Sequence, residues 1–208
     1  MRFVDRTDAG LRLAQQLRAI DLPDGLLVLG LPRGGVPVAV QVADALDASL
    51  DVLVVRKLGV PGHEELAFGA IAGSGLRVLN DDIVRQSGIS RDEIDSVTAS
   101  ETQELRRRER AYRGDRGPLD VEGRAVVVVD DGLATGATMA AAVDSLRAAG
   151  AVDVTVAVPV GAPSTCAALE ERADRVVCLT QPQHLGAVGL WYDDFTPTTD
   201  DEVRSALA

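Results

Sequence analysis

The run Ala125–Val129, reading AVVVV, restricts the fold more than any other feature of the chain. A strand with one wet face alternates apolar and polar side chains. This one is apolar on both faces and needs cover on both. Similar runs occur at Leu26–Leu31, Asp51–Arg56 (with VLVV inside it), Val152–Val158 and Val176–Leu179. Between them lie stretches with helical character: residues 6–20, with Ala9, Leu13, Ala14, Leu17 and Ile20 on one face, then Val36–Leu46, Ala137–Ala149 and Ser164–Arg172. Doubly buried strands alternating with helices predict an α/β fold, a Rossmann-like doubly wound parallel sheet of five strands. Leu76–Leu79 is a candidate antiparallel edge strand. At 208 residues, one domain over 1–208 is expected.

Two segments break the rhythm. Residues 57–75 (KLGVPGHEELAFGAIAGSG) are Gly-rich with one Pro and read as a loop. Residues 80–118 read as a helical insertion. Ser90 and Glu93 have capping-box spacing at the start of its longer helix. That helix ends in a basic cluster, Arg106, Arg107, Arg108, Arg110 and Arg113. Its bland role is a solvated face pairing with Glu101, Glu104 and Glu109; its sharper role is a subunit contact or a regulatory phosphate site. Residues 180–208 read as a small C-terminal hood and hold Trp191, Tyr192 and Phe195, half of the six aromatics.

The formal net charge of -11 argues against general binding to nucleic acid or anionic membranes, which need a basic surface. A small phosphate ligand needs only local positive potential. Cys166 and Cys178 are too far apart for a CxxC pair, and no zinc pattern surrounds them; one is expected to pack on a helix and the other in a strand. The opening MRFVDRTDAG lacks an apolar signal core, and no apolar run reaches the length of a membrane span. A reduced, soluble, cytoplasmic protein is the expectation.

The chemistry concentrates in Val126–Met139 (VVVVDDGLATGATM). A buried strand runs into adjacent carboxylates, Asp130 and Asp131. A loop with Gly132, Thr135, Gly136 and Thr138 follows, and then a helix begins. Glycines let backbone N–H groups approach a ligand, the helix N-terminus adds partial positive charge, and the threonines add hydroxyl donors. That is a phosphate cradle. The carboxylates would repel the phosphate, so they suit the hydroxyls of an attached sugar or a magnesium ion. The loop is neither a Walker A sequence nor GxGxxG. A plain strand-turn-helix with capping threonines is the bland alternative.

In an open parallel sheet of order 2-1-3-4-5, ligands bind beyond the carboxyl ends of strands one and three. The loop Leu31–Val36 (LPRGGV) would then face the Asp130 loop. Arg33 offers a charged fork, and Gly34 and Gly35 offer accessible N–H groups. Arg56 and Lys57 are expected to end the second strand at the same edge.

Asp-Asp followed by x-x-Ala-Thr-Gly-x-Thr after an apolar strand resembles the phosphoribosyl pyrophosphate signature of the type I phosphoribosyltransferases. LPRGGVPVA and RKLG resemble a bacterial branch of that family. The resemblance implies that Asp130 and Asp131 contact the ribose hydroxyls. It implies that Gly132, Leu133, Ala134, Thr135, Gly136, Ala137 and Thr138 hold the 5-phosphate, and that the Arg33 loop holds pyrophosphate. Arg56 and Lys57 would neutralise pyrophosphate as it departs. The implied reaction displaces pyrophosphate from the anomeric carbon by a nitrogen nucleophile, with a mobile flap in 57–75 or in the insertion excluding water. Magnesium would be held mostly by substrate oxygens, with Asp130, Asp131 and, indirectly, Asp193 assisting. A homodimer acting on small molecules is expected.

The acceptor is less legible. Gly189–Asp193 resembles the Val-Gly-x-x-x-Asp segment of purine-salvage members, which singles out Asp193. Gly186 stands where those members carry a stacking aromatic. Trp191 or Tyr192 would stack on a base instead, or else anchor the tail; both stay open. Ala134 stands where hypoxanthine- and guanine-using members carry Asp, and adenine-using members share the Ala. His63 and His184 each have a bland surface role or a place near substrate. Two other functions remain in view: a sensor that binds the same ligand without transferring it, and a partner-binding subunit that keeps the loop as a relic.

Overall fold

A computed structural model describes residues 2–73 and 76–208, without the side chains of Glu64, Glu65 and Leu76. The chain opens with α1 (Arg6–Arg18), whose first turn is capped by the Asp5 carboxylate accepting from the Asp8 N–H at 2.8 Å. Then come β1 (Leu27–Gly30), α2 (Gly35–Leu46), β2 (Ser49–Val52), β3 (Val55–Val60), β4 (His63–Ala72) and β5 (Leu76–Leu79). Helices α3 (Asp81–Ser87) and α4 (Arg91–Arg113) follow. The rest is β6 (Ala125–Val129), α5 (Ala137–Ala148), β7 (Asp153–Val160), α6 (Pro163–Glu170), β8 (Arg175–Thr180), a short 3-10 turn (Val188–Trp191) and α7 (Asp200–Ala206).

The main sheet has five parallel strands in the order β2-β1-β6-β7-β8, the doubly wound arrangement expected from the sequence. Its two faces are buried by different helices. Val28, Ala125, Val127, Val129 and Ala157 pack with Leu13, Leu17, Val38 and Val42 of α1 and α2. Leu29, Val126, Val128, Val154 and Val156 pack with Met139, Val143, Leu146, Cys166 and Leu169 of α5 and α6. Every residue of β6 is buried, which is why its five side chains show no alternation.

Three expectations need correction. The apolar run in Asp51–Arg56 is not one strand: β2 ends at Val52, Leu53 and Val54 make a link, and β3 starts at Val55 in a second sheet. Leu53 and Val54 are as buried as the strands they join, so hydrophobicity does not mark the corner. The described part of 57–75 is not a loop but most of an antiparallel hairpin, β3–β4, turning at Pro61–Gly62; residues 74–75 lie outside the described residues. Its glycines serve the pairing. A Cβ on Gly69 would lie 2.5 Å from the Val78 carbonyl oxygen, and the register shifts on both sides of Gly59. Leu76–Leu79 is antiparallel, as expected, but it edges this three-stranded sheet rather than the main one.

Helix α4 carries the full capping box: the Ser90 hydroxyl accepts from the Glu93 N–H, and the Glu93 carboxylate accepts from the Ser90 N–H at 2.9 Å. Its last turn is tied to the main sheet. Arg113 makes a bidentate pair with Asp51 of β2, at 2.9 and 3.0 Å, with both side chains nearly buried. Glu104 pairs with Arg107 and Arg108, whose hydrogen bonds hold its carboxyl down at about 2. Glu101 instead reaches back to Arg56. Among the described residues no helix is long and apolar enough to cross a membrane.

Candidate active site

The loop from Asp130 to Gly136 is pinned at its middle and open at its end. Leu133 donates its N–H to the Val160 carbonyl at 2.8 Å, and its own carbonyl accepts from the Ala162 N–H at 3.1 Å. Its side chain is buried among α5, α6 and the sheet. Leu133 is therefore the anchor of the loop, and its N–H is not available to a phosphate, contrary to the sequence expectation. Beyond it, Gly136 adopts φ of 71°, the left-handed region that glycine enters without strain, and so sets up the start of α5. Among the described residues, the N–H groups of Ala134, Thr135, Gly136, Ala137 and Thr138 donate to no protein acceptor. Thr135 and Thr138 are exposed beside them. Five successive free donors at a helix N-terminus make an anion site.

The Arg33 loop closes the other side. The peptide joining Pro32 and Arg33 is cis. A Cβ on Gly34 would lie 2.0 Å from the Asp131 carboxylate, and one on Gly35 would lie 2.6 Å from the Val129 carbonyl oxygen and 2.8 Å from Asp130 Cα. Neither glycine has a positive φ, so this approach of two loops, not backbone twist, is what requires them. The N–H groups of Arg33 and Gly34 also donate to no protein acceptor among the described residues. Arg33 is exposed and lies 3.8 Å from Asp200 at the start of α7; the Tyr112 hydroxyl donates to the same Asp200 oxygen at 2.9 Å.

The two aspartates have different surroundings. Asp130 Oδ1 accepts from the Asp131 N–H at 2.8 Å. Burial, then the neighbouring Asp131 charge, raises the Asp130 pKa well above the usual carboxylate value. Asp131 Oδ2 accepts from Arg6 through Nε at 2.9 Å and pairs with a second guanidinium nitrogen at 2.8 Å, with side-chain exposures of 11% for Arg6 and 15% for Asp131. Burial still raises the Asp131 pKa, and Arg6 only partly offsets it. Arg6 also donates to the Thr196 carbonyl at 2.8 Å and stacks on Phe195 at 3.9 Å from the ring centre. The Tyr192 hydroxyl donates to the Asp131 carbonyl at 2.6 Å. Asp131 is thus the joint between the motif, α1 and the C-terminal tail.

Several other expected site residues stand elsewhere. Arg56 and Lys57 do not end the second strand. They lie on β3, and Arg56 is held by Glu101 at 2.6 Å, so its charge is already compensated. Lys57, the single lysine of the chain, has no ion pair among the described residues. It lines a cleft of about 560 Å3 between β4, β5 and α5 that begins at Ala137. Tyr192 is buried against Phe3 and Phe195, and Trp191 donates its indole N–H to the Leu185 carbonyl at 3.0 Å. Tyr192 is therefore an anchor and is not free to stack on a base. Asp193 pairs with Arg2 at 2.9 Å in an exposed bridge, and its carboxylate is not brought to Asp130 and Asp131. No cluster of three or more metal-ligating side chains occurs among the described residues.

Sequence reasoning missed Arg6 and Thr165. Thr165 donates its hydroxyl to the Ala134 carbonyl at 2.8 Å, and its methyl fills the space a Cβ on Gly136 would take. Nothing local in the sequence marks either residue, because each meets the motif only through the packing of its helix.

Comparison with known proteins identifies the family of the chain. A family model described as the phosphoribosyl transferase domain matches residues 8–193. In two strains of Mycobacterium tuberculosis, a protein carrying the provisional name of a phosphoribosyl transferase is 52% identical over 205 residues. The match covers 99% of this chain and 46% of that protein, so the chain spans about half the length of these curated relatives. The crystal structure of TT1426 from Thermus thermophilus superposes with a TM-score of 0.91 at 43% identity, covering 100% of this chain and 98% of that one. A ribose-phosphate pyrophosphokinase of Methanosarcina acetivorans is 62% identical over 39 residues, 19% of this chain and 14% of that protein.

Proposed function

The chain belongs to the phosphoribosyl transferase domain family, a family of glycosyl-transferring enzymes, and on that premise we propose that it moves a 5-phosphoribosyl group from phosphoribosyl pyrophosphate to a nitrogenous acceptor, a nucleobase, releasing pyrophosphate. The observation that carries this reading is the row of free N–H groups from Ala134 to Thr138, set beside Asp130 and against the Arg33 loop. The 5-phosphate lies on the row, where aligned peptide dipoles favour its charge. Asp130 accepts from the ribose hydroxyls, and those donors relieve the penalty that burial places on its charge. The pyrophosphate meets Arg33 and the N–H groups of Arg33 and Gly34, with Lys57 supplying a second cation from across the cleft. The acceptor nitrogen bonds to the anomeric carbon as the bond to the pyrophosphate oxygen breaks, the electron pair leaves on pyrophosphate, and the proton of the acceptor nitrogen is given up to the departing pyrophosphate or to solvent. Asp131 is held by Arg6, so it orients the loop rather than the sugar.

The donor set fits magnesium held mainly by substrate: two adjacent carboxylates, one of them already paired, do not make a protein cage. When bound, magnesium would draw charge from the leaving pyrophosphate, with Asp130 as the protein side chain nearest to that task. Ala134 in the loop favours adenine over hypoxanthine or guanine as acceptor.

The ion pairs Arg56–Glu101 and Arg33–Asp200 favour a second reading, a sensor that binds the same ligand without transferring it, because two cations suited to pyrophosphate have internal partners. A pyrophosphate-release assay with phosphoribosyl pyrophosphate, magnesium and a panel of nitrogenous bases separates the two. Acceptor-dependent release supports transfer. Tight donor binding without release supports the sensor, and absence of donor binding would sink both.

A further inference from the structure

Cys166 lies in the first turns of α6 and is buried, while Cys178 lies on the edge strand β8 and is half-buried. Both press on the same backbone: a Cβ on Gly161 would lie 2.8 Å from Cys166 Sγ and 3.3 Å from Cys178 Sγ. Gly161 bridges to Leu133, the anchor of the phosphate loop, and donates its N–H to the Thr180 carbonyl at 3.1 Å. One residue before Cys166, Thr165 supports Ala134 and packs on Gly136. The thiol pair therefore stands directly behind the loop that holds the free N–H groups.

We propose that Cys166 and Cys178 are a redox-active dithiol, and that its oxidation to a disulfide by a low-molecular-weight disulfide displaces the phosphate loop. Each thiol acts on the other, holding the Cys166 pKa down and pushing the Cys178 pKa up, so the first proton of the pair leaves Cys166. Cys178 is the sulfur an oxidant reaches. It bonds to one sulfur of the oxidant RSSR as its own proton passes to the ionised Cys166, and RS⁻ is released. Cys166, giving up its proton, then attacks Cys178 Sγ in the mixed disulfide and releases the second RS⁻. Two protein thiols are oxidised, RSSR is reduced to two RSH, and the two protons end on the RSH. Drawing the sulfurs to bonding distance must move α6 against β8, with Gly161 between them and Thr165 carried along. The loop-coupling half of the proposal rests on the phosphate-loop reading above; the chemistry of the pair does not.

The test uses the full chain, reduced and then treated with oxidised glutathione. Intact mass should fall by two hydrogens, and peptide mapping should join Cys166 to Cys178. Amide hydrogen exchange at Leu133 and Ala162, whose N–H groups pin the loop, should quicken in the oxidised protein. Affinity for phosphoribosyl pyrophosphate should fall by at least about tenfold, which is on the order of 1.4 kcal/mol, and return on reduction. Cys178→Ser should remove all three effects. An unchanged mass, or a stable glutathione adduct that never resolves, overturns the dithiol. A disulfide with unchanged exchange in the loop overturns the coupling. If the reduced protein binds no donor, the functional reading fails while mass and exchange still decide this one.

Discussion

At the scale of single residues, Asp130 holds a tension between stability and binding. Its native pKa is raised, so the folded state binds a proton more tightly than the unfolded chain, whose carboxylate titrates near about 3.9. Stability therefore falls as pH climbs from that value through the native pKa, and the penalty is complete above it. Asp130→Asn removes the penalty. Its melting temperature should exceed that of the wild type at pH 7, by roughly 2–4 °C for each kcal/mol recovered, and the gap should close on acidification below about pH 4. Calorimetry across pH checks this, and a gap that widens on acidification would contradict it. The same variant should lose donor affinity, as expected where a site trades stability for function. Arg6 is the opposite case. Arg6→Ala leaves Asp131 buried without its partner and should destabilise by about 3–5 kcal/mol, whereas the double variant Arg6→Ala, Asp131→Asn should regain much of that. Denaturant unfolding of the three variants measures the coupling. If the double variant is no more stable than Arg6→Ala, the pair is not the joint described here.

At the scale of elements, the loop is a graft between two helices. Its donors come from the start of α5, but its shape is held by the start of α6. Thr165→Val keeps the methyl packing and removes the hydroxyl bond to the Ala134 carbonyl. A loss of about 1 kcal/mol in stability is expected, with a larger proportional loss of donor affinity, since the free N–H groups begin at Ala134 itself. Comparing unfolding with donor titration tests this; equal affinity in a less stable variant would mean that α6 supports the fold but not the site. The second sheet was the least legible element. β3 and β4 carry glycine where strands pack closely, and glycine in sequence signals a turn as readily as a bulge. The apolar run that feeds them crosses from one sheet to another without any change in burial.

At the scale of the whole molecule, a formal charge of -11 surrounds the row of free N–H groups proposed to hold an anionic ligand. The local attraction comes from peptide N–H groups and a few cations, which act at short range, while the surface repels at long range. The association rate of phosphoribosyl pyrophosphate should therefore rise as moderate salt screens the surface, at constant free magnesium. Stopped-flow measurement over a salt series checks this, and a rate that falls with salt would show that the cations of the site dominate the approach. The same scale explains the tail. The C-terminal segment, through Tyr192, Phe195 and Thr196, closes on Asp131 and Arg6, and α7 meets Arg33 and α4. Helix α1 and the C-terminal segment thus converge on the site from opposite ends of the sequence.

By itself the sequence determined the five strands of the parallel sheet and the strand-turn-helix that follows Val129. These rest on local signals: apolar runs without alternation, and a Gly/Thr turn between a strand and a helix. Capping at Ser90 was equally local. Only the tertiary structure decided that Asp131 is paired with Arg6, that Leu133 anchors the loop, that Arg56 is already paired, that Tyr192 is buried, and that Cys166 and Cys178 flank Gly161. The physical reason is the same in each case. A backbone conformation follows from neighbours in sequence, whereas the partner of a charge, hydroxyl or thiol is set by which helix face or strand end packs against it.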